Sequence, residues 1–211
     1  MSKLIVVLGP TASGKTSLAV NLAYKFQGEI ISGDSRQIYK SMDIGTGKDL
    51  HEYKINNIEI PYHLIDILEP KEDYSVFKYK NDFLNAYKSI QNRNSLPILC
   101  GGTALYIESI LLNYKIPNVP PNRKLREELE KNTLDMLVKK IKDLDETSFD
   151  VNYHTTKRRI IRTIEISSYT KDINMENNHN NITSDSLVFG INIERHSILK
   201  NIKNRLKQRL N

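Results

Sequence analysis

Gly9-Pro10-Thr11-Ala12-Ser13-Gly14-Lys15-Thr16 fills every fixed position of the pattern G-x-x-x-x-G-K-[S/T]. The apolar run Leu4-Ile5-Val6-Val7-Leu8 precedes it as a short buried strand, and Ser17 to Phe26 follows with the helix formers Leu18, Ala19, Leu22 and Ala23. A glycine-rich turn between a strand and a new helix points successive backbone N–H groups, and the positive end of the helix, at an anion. Lys15 adds a point charge, Thr16 offers a hydroxyl to a magnesium ion, and residues 9–16 together form the expected diphosphate- or nucleotide-binding cradle. Loops of this kind hold ATP in many enzymes, so the cradle alone does not name the reaction.

Outward from the loop, the chain alternates strands and helices. Strands are expected at 3–8, 29–33, near 63–67 and at 96–100, and helices at 15–26, 76–92 and 103–113, with a long loop from 34 to about 60. This order predicts an α/β fold, a P-loop NTPase-like parallel sheet with helices on both faces. The segment Ile116-Pro117-Asn118-Val119-Pro120-Pro121 breaks the alternation. Residues 122–147 then show helical periodicity in Leu125, Leu129, Leu134, Leu137, Ile141 and Leu144. We expect a small inserted helical domain at 117–155, with the catalytic core formed by 1–116 and 156–211.

A helix is expected from about 156, capped by Thr155 or Thr156, with Ile160, Ile161 and Ile164 on one face and Lys157, Arg158, Arg159 and Arg162 on the other. Arg158 and Arg162 stand four apart, a spacing that sets guanidinium groups side by side and suits successive phosphates; a solvated basic face is the plainer alternative. Residues 171–185 are polar, Asn-rich and without periodicity, and read as a surface loop in which His179 is exposed rather than metal-bound. Strand 187–193 and a basic helix from Glu194 to Leu210 complete the chain.

With 211 residues and 39% apolar content, the chain can bury one sizeable core and carry a small appended lobe. The net charge of +6 is compatible with a polyanionic partner. A single cysteine, Cys100, rules out an internal disulfide and fits a reducing, cytoplasmic setting. No apolar run approaches the roughly 18–20 residues of a membrane helix, and no membrane association is expected.

Asp34 closes the apolar strand Gly28–Gly33, at the carboxyl edge of the sheet where ligands bind. An N-cap or a magnesium-associated carboxylate is the plain reading of that position. The following Ser35-Arg36-Gln37-Ile38-Tyr39 is rich in side chains that read nucleotides.

At this point the sequence resembles a known family. GPTASGKT at 9–16, DSRQIYKSMDIGTGK at 34–48, PYHLIDILEPKEDYSV at 61–76, LPILCGGTALYI at 96–107 and KRRIIRTIE at 157–165 are similar to successive motifs of the tRNA dimethylallyltransferases, also called tRNA isopentenyltransferases. The resemblance implies transfer of a dimethylallyl group from dimethylallyl diphosphate to N6 of the adenosine 3′ of the anticodon, with Mg2+ as cofactor. It also implies a monomer whose partner is the tRNA anticodon stem-loop. By the same resemblance, Asp34, Thr11, Lys15 and Arg205 are catalytic, Thr11 meeting the bridging oxygen and Arg205 the diphosphate. Asp34, Ser35, Arg36, Gln37, Thr103, Arg158, Arg159, Ile160, Ile161 and Arg162 are then expected to contact tRNA, and Thr16 to hold magnesium.

Three departures stand out: Ala104 where the family has Gly, Tyr153-His154-Thr155-Thr156 where it has an HPND-like run, and Lys207 near an acidic position. The family also continues beyond the last residue here. The helix from Glu194 is therefore expected to fray for want of packing partners, with donor binding kept and tRNA modification reduced. A non-catalytic remnant and a small-molecule kinase are the alternative readings.

Overall fold

The computed structural model describes residues 4–144, 150, 153, 156–170 and 186–210. They divide into two compact units, the first holding residues up to Tyr114 together with the carboxyl-terminal strand and helix, the second beginning at Lys115.

The first unit is built on a five-stranded parallel sheet of β1 (Leu4–Leu8), β2 (Gly28–Ser32), β5 (Tyr62–His63), β6 (Leu96–Gly101) and β7 (Ser186–Gly190), in the order β5-β2-β6-β1-β7. The period-2 alternation of β1 sorts its side chains between two cores. Leu4 and Val6 join Tyr79, Phe83 and Ile90 of α2 (Val76–Asn92) and Ile107 and Ile110 of α3 (Ala104–Leu111). Ile5 and Val7 face Ala19, Val20 and Ala23 of α1 (Lys15–Phe26) on the opposite side. Burial on both faces is why β1 reads as a continuous apolar run.

Two aromatic rings fix the first core against the ligand-binding edge. Tyr79 is fully buried, stacks on Tyr106 at a centroid distance of 3.9 Å, and donates its hydroxyl to the Ser32 carbonyl at 3.3 Å. The end of β2, two residues before Asp34, is thereby tied to α2. Gly101 in β6 packs directly on Gly33: a Cβ at 101 would lie 2.3 Å from the Gly33 carbonyl carbon, so only glycine lets the two chain segments approach.

The expected strand at 63–67 is only Tyr62–His63, because Leu64 and Asp66 take positive φ angles that end the extended run. The loop from 34 to 60 contains a 3-10 turn at Leu50–Tyr53 and the short hairpin of β3 (Lys54–Ile55) and β4 (Ile58–Glu59).

The second unit has its own core. Stretch 122–147 forms two helices among its described residues, α4 (Arg123–Glu130) and α5 (Leu134–Leu144). Asn122 caps α4 by accepting from Leu125 N–H at 3.1 Å, and Thr133 opens α5, its carbonyl accepting from Leu137 N–H at 3.1 Å. Leu129, Leu137 and Ile141 pack on Ile160, Ile161 and Ile164 of α6 (Lys157–Thr170).

That packing corrects the expected boundary at 156. Helix α6 belongs with α4 and α5, since its isoleucines are buried against them, so the inserted unit extends past residue 155. Thr156 stands before α6, its carbonyl accepting from Arg159 and Ile160 N–H. The alternative cap Thr155, along with His154, His179 and the loop 171–185, lies outside the described residues.

The last strand, β7, pairs with β1 as an edge strand, and the helix expected from Glu194 is α7 (Arg195–Leu210). None of its described side chains is buried, and Leu199 and Leu210 are 58% and 67% exposed. Polar contacts hold it to its unit: Asn201 Nδ2 donates to the Ala12 carbonyl at 3.1 Å, and two arginines meet Asp49.

Candidate active site

The loop between β1 and α1 turns sharply because Gly14, with φ +87°, adopts the left-handed conformation just before the helix. Lys15 folds back to donate to the Pro10 carbonyl at 2.7 Å. Burial lowers the pKa of its ammonium; Cys100 and Asp34 oppose that shift and nearby Arg205 adds to it. Ser13 is buried, and its Oγ has no hydrogen-bond partner among the described residues.

Two cavities meet at this loop. The larger, about 620 Å3, lies between the loop residues Ala12–Ser17 and Asn201, Asn204, Arg205 and Arg209 of α7. The smaller, about 50 Å3, is lined by Thr11, Lys15, Thr16, Asp34, Gln37 and Arg205, with Tyr53, Cys100 and Gly101 as its wall. Lys15, Thr16 and Arg205 border both. Thus Asp34, Thr11, Lys15 and Arg205, spread over nearly the whole sequence, line one cavity.

Local hydrogen bonds explain how the segment after β2 presents Asp34. The Asp34 carboxylate accepts from Arg36 N–H at 3.0 Å, closing a tight turn that leaves Arg36 exposed and Ile38 buried. Gln37 accepts from the Ser32 hydroxyl at 3.1 Å and donates to the Gly47 carbonyl at 3.1 Å, which fixes its amide. Lys48, whose side chain is fully buried, pairs with Asp43 at 2.8 Å and with Asp66, and donates to the Tyr39 carbonyl at 2.7 Å. This lysine closes the 34–48 loop on itself.

Thr103 stands at the cap position of α3 but makes no side-chain capping bond. Its hydroxyl instead accepts from Ser35 N–H at 2.9 Å and contacts the Ser35 hydroxyl at 3.2 Å, joining the loops after β2 and β6. Cys100 is buried and its thiol is pushed up to about 12, chiefly by that burial, so it stays protonated and inert.

The basic helix needs correction. Ile160 and Ile161 are 0% and 3% exposed, so their side chains pack in the core of the second unit rather than face outward. Arg162 pairs with Glu165 and donates to the Val119 carbonyl at 2.9 Å, so it is engaged within its own unit. Arg158 and Arg159 are exposed; the Arg159 guanidinium lies 5.2 Å from the Tyr153 ring centroid.

Sequence reading missed Asp49, Tyr53, Gly47, Asn201 and Arg209. Arg209 alone had a signal, standing four residues after Arg205 on one helix face.

Known proteins resemble this chain in sequence and fold. The family described as IPP transferase matches residues 37–211, and that described as isopentenyl transferase matches 2–62. The tRNA dimethylallyltransferase 2 of Phocaeicola vulgatus is 48% identical over 208 residues, covering 98% of this chain and 67% of its own length. The chain belongs to the tRNA dimethylallyltransferase family. The tRNA dimethylallyltransferase 1 of Parabacteroides distasonis is 49% identical, with 99% of this chain and 67% of that relative covered.

Among solved structures, the tRNA isopentenylpyrophosphate transferase of Bacillus halodurans superposes with a TM-score of 0.63 at 31% identity, over 100% of this chain and 66% of its own. A eukaryotic dimethylallyltransferase acting on tRNA gives 0.77 at 27% identity, over 100% of this chain and 53% of its own. The chain spans about two thirds of the length of the dimethylallyltransferases it matches. Membership in the dimethylallyltransferase family sets aside the small-molecule kinase reading of the cradle.

Proposed function

We propose that this chain transfers a dimethylallyl group from dimethylallyl diphosphate to N6 of the adenosine 3′ of the anticodon in tRNA. The observation that carries the reading is the convergence of Asp34, Thr11, Lys15 and Arg205 on one cavity beside the phosphate cradle.

In the reaction the C1–O bond of the donor breaks, the N6–C1 bond forms, inorganic diphosphate leaves and one proton leaves N6. The loop amides, Lys15 and Arg205 bind the diphosphate and stabilise the charge that grows on its bridging oxygen, with Thr11 donating to that oxygen. The partnerless Ser13 hydroxyl fits such a ligand, because a buried unsatisfied donor costs about 1–3 kcal/mol and a phosphate oxygen would accept from it. Asp34 accepts the proton from N6, whose lone pair is delocalised into the ring, and orients the amine for in-line attack.

Magnesium fits this site through Thr16, in the first turn of α1, which borders both cavities. The Thr16 hydroxyl would hold such an ion together with oxygens of the donor, since magnesium prefers oxygen ligands. When bound, the ion neutralises charge on the leaving diphosphate.

An adenine stacked in a stem-loop cannot reach a cavity of this size, so the nucleotide must be extruded. Ser35, Arg36, Gln37 and Thr103 are then the groups to meet it and its neighbours, while exposed Arg158 and Arg159 serve phosphates. No helix among the described residues is long and apolar enough to cross a membrane, and the one thiol is buried and free, which supports a cytoplasmic setting.

The test is incubation of the chain with labelled dimethylallyl diphosphate, Mg2+ and an anticodon stem-loop carrying the target adenosine. Label in the RNA, lost when that adenosine is replaced by guanosine, supports the reading. Label that enters RNA regardless of the base, or none at all, overturns it.

A further inference from the structure

We propose that Asp49 is a positioning residue for this reaction, fixing Arg205 and Arg209 at the rim of the cradle so that turnover depends on it through Arg205. The proposal rests on the diphosphate reading above.

Asp49 immediately precedes the 3-10 turn, and its side chain is 12% exposed. It receives a two-pronged contact from Arg209, Nε at 2.8 Å and Nη2 at 2.7 Å, and a further contact from Nε and Nη2 of Arg205. Burial alone would raise its pKa; the hydrogen bonds from Arg209 and Arg205 outweigh that and lower it. The carboxylate is therefore charged wherever both guanidinium groups are in place. Around it, Arg209 Nη1 donates to the Ile44 carbonyl at 3.1 Å, and Arg205 Nη2 lies 3.6 Å from Glu52.

Helix α7 explains why such an anchor is needed. It has no buried side chain, so nothing apolar restrains Arg205. A long side chain has many rotamers, and leaving it unrestrained at the moment of reaction spreads its charge over many positions. Asp49 meets Nε and Nη2 of Arg205, Nη2 also donates to the Gly47 carbonyl at 3.4 Å, and Arg205 so held borders both cavities. Asp49 and Glu52 together balance the two guanidinium groups, so the anchor acts by orienting Arg205, while Lys15 and the loop amides supply the attraction for an anion.

The test compares the unsubstituted chain with Asp49→Asn, Asp49→Glu, Arg205→Ala and the double variant Asp49→Asn/Arg205→Ala. Single-turnover transfer is measured at saturating donor, and inorganic pyrophosphate affinity by calorimetry. Asp49→Asn lowers the rate by about tenfold while pyrophosphate affinity changes by less than about threefold, and Asp49→Glu recovers part of the loss. The double variant is no slower than Arg205→Ala, because both changes remove one function.

Losses that multiply in the double variant, or an Asp49→Asn rate equal to that of the unsubstituted chain, overturn the proposal and leave the diphosphate reading standing. Wild-type rate and affinity in Arg205→Ala, or no transfer by the unsubstituted chain, overturn that reading and this proposal together.

Discussion

The Thr103 hydroxyl accepts the Ser35 amide hydrogen at 2.9 Å, joining residues 68 positions apart across the carboxyl edge of the sheet. The bond sets the start of the segment that carries Arg36 and Gln37. Thr103→Val removes the acceptor at constant shape and leaves a half-buried N–H unsatisfied, a loss of about 1–3 kcal/mol of local order. The expected result is a KM for the stem-loop raised by roughly tenfold, donor affinity unchanged, and recovery in Thr103→Ser. Steady-state kinetics with each substrate varied in turn check it.

Lys15→Ala acts on the other substrate. On the proposed reading the ammonium touches the donor in both ground and transition states, so donor affinity and turnover fall together, by about 10²-fold or more in kcat/KM. Calorimetric titration with dimethylallyl diphosphate, beside single-turnover rates, distinguishes this from a fall in one of them alone.

The arginines of α6 separate by role. Arg158 is exposed, and Arg158→Ala weakens tRNA binding and reduces the slope of log affinity against log salt by about 0.7–0.9, the signature of one lost phosphate contact. Arg162 pairs with buried Glu165 and with the Val119 carbonyl, and Arg162→Ala instead lowers thermal stability. Filter binding at several salt concentrations, alongside melting curves, checks the pair.

Glu165 gives the second unit a pH signature. Burial alone would raise its pKa, but hydrogen bonds from Arg126, the Asn122 amide and Arg162 outweigh it and hold the carboxyl at about 2, below its ordinary 4.5. A folded-state pKa depressed in this way contributes stability that is full above 4.5 and is lost as pH falls through about 2. Glu165→Gln, which breaks a buried ion pair, costs about 3 kcal/mol at pH 7. That deficit shrinks steadily below pH 4.5; urea unfolding at pH 7 and pH 3 measures it.

Much of the fold was legible because its signals are local. The strand, glycine turn and helix around residues 4–26 carry their own periodicity and backbone requirements, and the helix expected at 76–92 is α2 at Val76–Asn92. The boundary of the inserted unit was not, because the apolar stripe of α6 says that a face is buried and not which core buries it. Ile160 and Ile161 illustrate the same limit: a motif match placed them at the tRNA, and packing against Leu137 and Ile141 placed them inside. Asp49 was invisible for a different reason. Its role comes from a contact 156 residues away with Arg205, which no spacing rule encodes.

The central claim is that Asp34 takes the proton from the attacking amine while the cradle holds the diphosphate. Asp34→Asn keeps the size of the side chain and an oxygen for the Arg36 amide while removing the basic carboxylate. The most direct measurement is the single-turnover rate of this variant at saturating donor and stem-loop, with donor affinity determined on the same preparation. The account predicts a rate reduced by about 10²-fold or more with donor affinity little changed. A near-wild-type rate would contradict it and leave Asp34 as a residue that only shapes the loop.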